Sequence, residues 1–428
     1  MSSSKAILNE IQNFLNDIYK KGFFHLLSGN FMLIVTSFLG YLIIAYFLSP
    51  DDIGRIKTLQ TYASILVIIG TLGLNVSTLK LCSDSKYADK SNQLFSVALK
   101  YVIITSGIVY LISIFLAQNH FFSNDIIVNN LAIVFLISVI PSSVNLVIIS
   151  YYQAVKEFKS LSKIQVTTKI LGILLLVILS YFFGISGYSI GYVLTFLLTF
   201  IFLILPYLKK ITYLKGYFKE HWELAKYSLV ANLLSRINLS IDIIIINFIL
   251  SEPQQLGQYA FALNFIFMLD VIPKSIQQIS IPYFSEKSNN YKSWMKVYKR
   301  YNKILLFVIL IVTFLSILIV PVFIHYVFEG KYDDSIKYFL ILIFGWLFRS
   351  LTYLKTGSVI GLGEIKYNFY AALFLLPINI MLIYLFISNY NILGVAYANV
   401  IIGILTFFIV FILFKKAVSN NSFSENIM

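Results

Sequence analysis

The chain has 428 residues, of which 59% are hydrophobic and only 12% charged, with a formal net charge of +14 and a mean hydropathy of +0.83. That make-up excludes an ordinary soluble domain and points to a multispanning membrane protein. The positive balance is a topology signal and an attraction to anionic lipid heads, not a mark of nucleic-acid binding.

The N-terminal segment carries Ile7, Ile11, Leu15 and Ile18 at helical spacing and is stopped by Gly22. It lacks the apolar core and cleavage site of a secretory signal, so it reads as a short interfacial helix. Apolar stretches long enough to span follow at about 23–48, 58–80, 94–117, 126–152, 160–183, 187–207, 227–250, 255–284, 301–326, 337–360, 367–388 and 393–414. The expected fold is therefore an all-α integral membrane protein with about 12 transmembrane helices. Its domains are a cytoplasmic amphipathic segment (1–22), an N-terminal six-helix lobe (23–207), a cytoplasmic linker (208–226), a C-terminal six-helix lobe (227–414) and a cytoplasmic tail (415–428).

The two lobes echo one another. LSPDDIG at 48–54 matches LSEPQQLG at 250–257, while Glu157-Phe158-Lys159 and Gly187 match Glu364-Ile365-Lys366 and Gly394 at an offset of 207. A period near half the chain marks a duplicated unit, and an even number of spans per unit makes the repeat parallel.

Basic residues set the orientation. Connections on one side hold 23 lysines and arginines, and those on the other hold only Arg55, Lys57, Lys331 and Lys337, which puts both termini in the cytoplasm. Within 291–303, Tyr291, Trp294, Tyr298 and Tyr301 share one helical face and Lys292, Lys296, Lys299 and Lys303 another, as in a helix lying at headgroup level. Segment 212–225, with Leu214, Phe218 and Trp222, looks similar but weaker.

No external connection exceeds about a dozen residues, which disfavours a lipid-linked sugar polymerase or transferase, since these need a folded external loop. Asp51 and Asp52 read as turn initiators and caps of the second helix. There is no P-loop glycine-lysine pattern, and His25, His120, His221 and His325 are too dispersed for a metal site. Cys82, the single cysteine, has no partner for an internal disulfide. The chain is expected to be no enzyme and to need no cofactor beyond possible H+ or Na+ coupling.

What remains is charge inside the bilayer, which is costly and defaults to function. Six bases lie within spans, Lys100, Lys169, Arg236, Lys274, Arg349 and Lys355, against the acids Asp242 and Asp270. Lys100 lies near a cytoplasmic end and can snorkel; Lys169 either snorkels or faces the lumen. Asp270 and Lys274, four apart, can pair. Arg236 and Asp242, six apart, stand about 120° round the helix. Arg349, Thr352, Tyr353 and Thr356 form a polar stripe with Lys355 beside it. The bland reading, that these charges only glue helices in pairs, leaves Arg349 and Lys355 without partners. An unmatched positive surplus suits phosphate oxygens, so Arg236, Lys274, Arg349, Lys355 and Lys169 are the candidate substrate-binding residues. Asp242 and Asp270 are the candidates for ion coupling or gating. Pro141, Pro273 and Pro377 fall within spans and serve either as hinges or as static kinks.

The segments at 48–82 and 235–286, GLGEIK at 361–366 and NILGVAYANVI at 391–401 carry a resemblance that covers nearly the whole chain. With Asp242, Gly257-Gln258-Tyr259, Pro273 and Pro282-Tyr283-Phe284-Ser285-Glu286, they resemble the polysaccharide and O-antigen flippase branch of the multidrug/oligosaccharidyl-lipid/polysaccharide exporter superfamily. Arg55 departs from that pattern, since an apolar or aromatic residue is usual near the glycine. The resemblance implies a bacterial inner-membrane flippase moving an undecaprenyl-diphosphate-linked oligosaccharide repeat unit, for O antigen, capsule or another exopolysaccharide, by alternating access. Membrane lipids, and a polysaccharide polymerase and chain-length regulator, are the implied partners. The competing expectation is a cation-coupled small-molecule antiporter of the same superfamily.

Overall fold

The structure, a computed structural model, describes residues 23–210, 216–250, 252–288, 290–364 and 366–420. The expected interfacial helix at 1–22, Leu214 and the end of the tail lie outside the described residues. In chain order the helices are α1 Phe23–Phe47, α2 Pro50–Thr71, α3 Leu74–Ser83, α4 Ser91–Gln118, α5 Ile126–Phe135, α6 Val139–Ala154, α7 Phe158–Ile204, α8 Phe218–Ile249, α9 Pro253–Leu269, α10 Val271–Glu286, α11 Tyr291–Val327, α12 Asp333–Ser350, α13 Tyr353–Gly361 and α14 Lys366–Ser419. Among the described residues there is no strand, as expected where lipid offers the backbone no hydrogen bonds. Side chains such as Leu111, Phe115, Phe182 and Phe314, each more than 60% exposed, make the lipid-facing surface.

Two helices are too long for one crossing. α7, with 47 residues, would reach about 70 Å if straight, more than twice the roughly 30 Å apolar thickness of a bilayer. It reverses at Gly184 (φ 57°, ψ −140°), so that Thr195 Oγ1 donates to the Gly172 carbonyl at 3.2 Å, 23 residues away. α14, with 54 residues, reverses at Asn391 (φ 53°, ψ −143°). The two reversals are 207 residues apart. Beside them Gly187 packs on the Leu179 carbonyl and Gly394 on the Phe386 carbonyl, again 207 apart in both members. The repeat seen in the sequence is thus repeated in backbone conformation.

Counting each of these two helices as a pair, and each broken helix pair as one crossing, the described residues make twelve crossings. The second, fourth, eighth and tenth are interrupted. α2 and α3 bend by 46° at Leu72 and Gly73, both left-handed (φ 51° and 72°). α5 and α6 meet through a 3-10 turn at Leu136–Ser138, α9 and α10 at Asp270, and α12 and α13 at Leu351 and Thr352. Half to two-thirds of the fourth, eighth and tenth crossings is buried in protein, against at most 28% for the unbroken ones measured alike. Pro141 and Pro273 stand just after two of the breaks, whereas Pro377 lies inside continuous helix.

Several boundaries differ from the sequence expectation. The second crossing starts at Pro50, not near 58, because Ser49 Oγ caps it by accepting from Asp52 N at 3.2 Å. Asp51 and Asp52 occupy its first turn, so Arg55 and Lys57 are helical residues rather than loop residues. The basic stretch at 291–303 is the unbroken start of α11, not a separate headgroup helix. Its Trp294 is fully buried, stacks on Tyr298 and approaches Phe284 and Phe414. Phe218 and Trp222 likewise open α8. By packing, Thr36–Ala260 form one compact unit, and the chain before Thr36 belongs with the part from Phe261 onward to a second. That division falls within α9 rather than at the drawn linker 208–226, because α8 packs along α2 and α3.

Candidate substrate site

α2 and α8 form an antiparallel seam whose register is fixed at three points. Gly73 packs on Ala225 and Leu229, Arg236 Nε donates to Ser64 Oγ at 2.5 Å, and Gly54 and Thr58 share a small pocket with Ile246 and Asn247. The same register sets Lys57 opposite Asp242, in whose field, and in that of Arg236, it lies. Asp242 is 9% exposed and accepts from Tyr259 Oη at 2.9 Å. Gln60 Nε2 donates to Tyr188 Oη at 2.8 Å. Arg236 and Asp242, about 120° apart on their helix, thus take different partners. Arg236 is held by Ser64, and Asp242 by Tyr259.

At the 46° elbow this seam opens into a cavity of about 230 Å³ lined by Thr71, Asn75, Asn232, Ser235 and Arg236 together with Ile68, Gly73, Leu146 and Leu239. Arg236 is its one ionisable lining residue, so the cavity has a positive edge and otherwise neutral walls, part polar and part apolar.

Next to the elbow, His221 is fully buried. Its Nδ1 meets Ser77 Oγ at 2.8 Å and its Nε2 the Leu94 carbonyl at 3.1 Å. It is a satisfied packing group, with both ring nitrogens partnered.

The second compact unit carries its own polar cluster, gathered at the break between α9 and α10. Asp270 accepts from Trp346 Nε1 at 2.9 Å and from Tyr353 Oη at 3.1 Å, and it pairs with Lys274 Nζ at 3.2 Å. The Lys274 side chain is 51% exposed and its ammonium lies 5.9 Å from the Tyr353 ring centre. Gln277 Nε2 donates to Thr356 Oγ1 at 2.8 Å. Arg349 Nε is buried with no hydrogen-bond partner among the described residues.

The predicted cations therefore part ways. Lys274 is paired, Arg236 edges a cavity, and Arg349 keeps a buried, unused donor. Lys355 is 6% exposed, donates to the Leu351 carbonyl at 2.9 Å and stands 4.8 Å from the Phe407 ring centre. Lys169 is half-buried on α7 and does not line the cavity. Lys57 was missed because a hydropathy window starts where charge stops. The Ser49-Pro50 helix start was the signal that could have placed it inside the helix.

Twelve helical crossings, duplicated in sequence and backbone, with polar interior seams and an arginine-edged cavity, define a multipass membrane protein. The chain belongs to the family whose model is described as polysaccharide biosynthesis protein, which matches residues 43–337. No curated protein matches it in sequence. Among solved structures, an inward-facing multidrug resistance MATE family transporter of the MOP superfamily is 17% identical, with a TM-score of 0.72 over 91% of this chain and 96% of that one. The lipid II flippase MurJ in an inward closed conformation is 18% identical, also at 0.72, over 92% and 90%. An outward-facing MATE transporter is 16% identical at 0.62, over 91% and 94%. The fold is the one these three structures share.

Proposed function

We propose that the chain flips an undecaprenyl-diphosphate-linked oligosaccharide repeat unit, for O antigen, capsule or exopolysaccharide, across the bacterial cytoplasmic membrane by alternating access, with both termini in the cytoplasm. The observation that carries this reading is the cavity at the α2–α3 elbow, where a single arginine stands among neutral polar and apolar lining residues. A guanidinium in a low-dielectric interior favours a phosphate over a neutral or cationic cargo. The family's link to polysaccharide biosynthesis supports the same cargo. A polymerase and a chain-length regulator are the partners such a function calls for, and Lys274, Arg349 and Lys169 are secondary contributors to binding, while Lys355, whose ammonium is spent on a backbone carbonyl and a ring face, is left out of it. In cells, Arg236→Gln should abolish surface polysaccharide and trap the lipid-linked precursor in the inner leaflet. Normal export in that variant would overturn the reading.

A second reading, cation-coupled export of small molecules, rests on Asp242 and Asp270. Both are buried carboxylates, the kind of group at which a proton or sodium ion binds inside a membrane. It predicts that Asp242→Asn and Asp270→Asn abolish drug efflux while Arg236→Gln leaves it intact.

A further inference from the structure

We propose that Ser64 is a positioning residue that aims Arg236 into the cavity, so that the two terminal guanidinium nitrogens grip a phosphate edge-on. This rests on the reading of the cavity as an anion site. An arginine has five N–H donors in a rigid plane. Here Nε is committed to Ser64 Oγ at 2.5 Å. Ser64 in turn sends its own hydroxyl hydrogen to the Thr61 carbonyl at 2.6 Å, which leaves its lone pairs turned to Arg236.

The acceptor is therefore oriented before any ligand arrives, and it is fixed to a helix backbone. The terminal nitrogens make no hydrogen bond among the described residues, and the residue lines the cavity. With Nε held on one side, the opposite edge of the fork is the part left for a ligand in the cavity that Asn232 and Ser235, from the same helix, also line. Two parallel N–H groups match two oxygens of one phosphate. A lysine could supply the charge, but it could not be held through one nitrogen and grip through two others.

The test uses the purified full-length chain with inorganic pyrophosphate as the probe, titrated calorimetrically alongside thermal unfolding. Ser64→Ala should weaken pyrophosphate binding about tenfold, in line with losing one hydrogen bond to a charged group, at an unchanged melting temperature. Ser64→Thr, which keeps the acceptor, should bind within about twofold of the parent, and Arg236→Lys should bind as poorly as Arg236→Gln. Parent-like binding by Ser64→Ala beside a loss in Arg236→Gln would overturn the positioning role. So would an intact melting temperature with equal losses in Ser64→Thr and Ser64→Ala, or parent-like binding by Arg236→Lys. Parent-like binding by Arg236→Gln would instead remove the anion site itself, which separates the two failures.

Discussion

Gly54 and Gly257 occupy matching positions of the duplicated turn and press on one another. A Cβ on Gly54 would run into the Pro253 carbonyl and the Gly257 nitrogen, and one on Gly257 into the Pro50 carbonyl and the Gly54 nitrogen. Such reciprocity is what a two-fold axis produces, and only glycine lets the first turns of α2 and α9 meet backbone to backbone. Gly54→Ala and Gly257→Ala are each expected to cost about 1–3 kcal/mol of stability. Since one added methyl already parts the helices, the double variant should cost less than the two combined. Additive losses in thermal unfolding would refute a shared contact.

Asn391 holds the same positive-φ conformation as Gly184 without glycine's freedom. Asn391→Gly should raise the melting temperature, relieving about 1 kcal/mol of backbone strain, and Asn391→Val should lower it. A fall with Asn391→Gly would mean that the asparagine side chain itself holds the turn.

Asp270 satisfies a buried indole, a phenol and an ammonium at once. Asp270→Ala leaves the Trp346 N–H without an acceptor, which should cost about 1–3 kcal/mol. Adding Trp346→Phe should recover part of that loss. If the second change deepens the loss, the hydrogen bond is not what stabilises the cluster.

Lys57 and Asp242 face each other across the α2–α8 seam. Removing either charge alone, by Lys57→Gln or Asp242→Asn, should destabilise by up to about 3–5 kcal/mol, the range for leaving one buried charge unmatched. The double variant should be milder than the worse single one. Independent effects in a double-mutant cycle would show the register to be read wrongly.

Lys355 spends its ammonium on a backbone carbonyl and a ring face. Lys355→Met should therefore keep polysaccharide export. Loss of export at unchanged stability would return Lys355 to the substrate path.

Much of this was legible beforehand. The twelve crossings follow from apolar runs as long as a bilayer is thick, and the duplication shows in the echoes at offsets near 203 and 207, because a repeated backbone turn demands repeated small or capping residues. Helix ends were read less well. Charge lowers hydropathy in the very turns that a cap such as Ser49 favours, and this hid Lys57.

What the sequence determined alone was the solvent, the number of crossings and most of the charges that lie among them, since these depend only on transfer energies summed along the chain. Which charge meets which partner was decided by tertiary packing. Arg236 and Ser64 are 172 residues apart, and only the rotation and register of two packed helices could choose a serine over an aspartate as the group that holds the arginine.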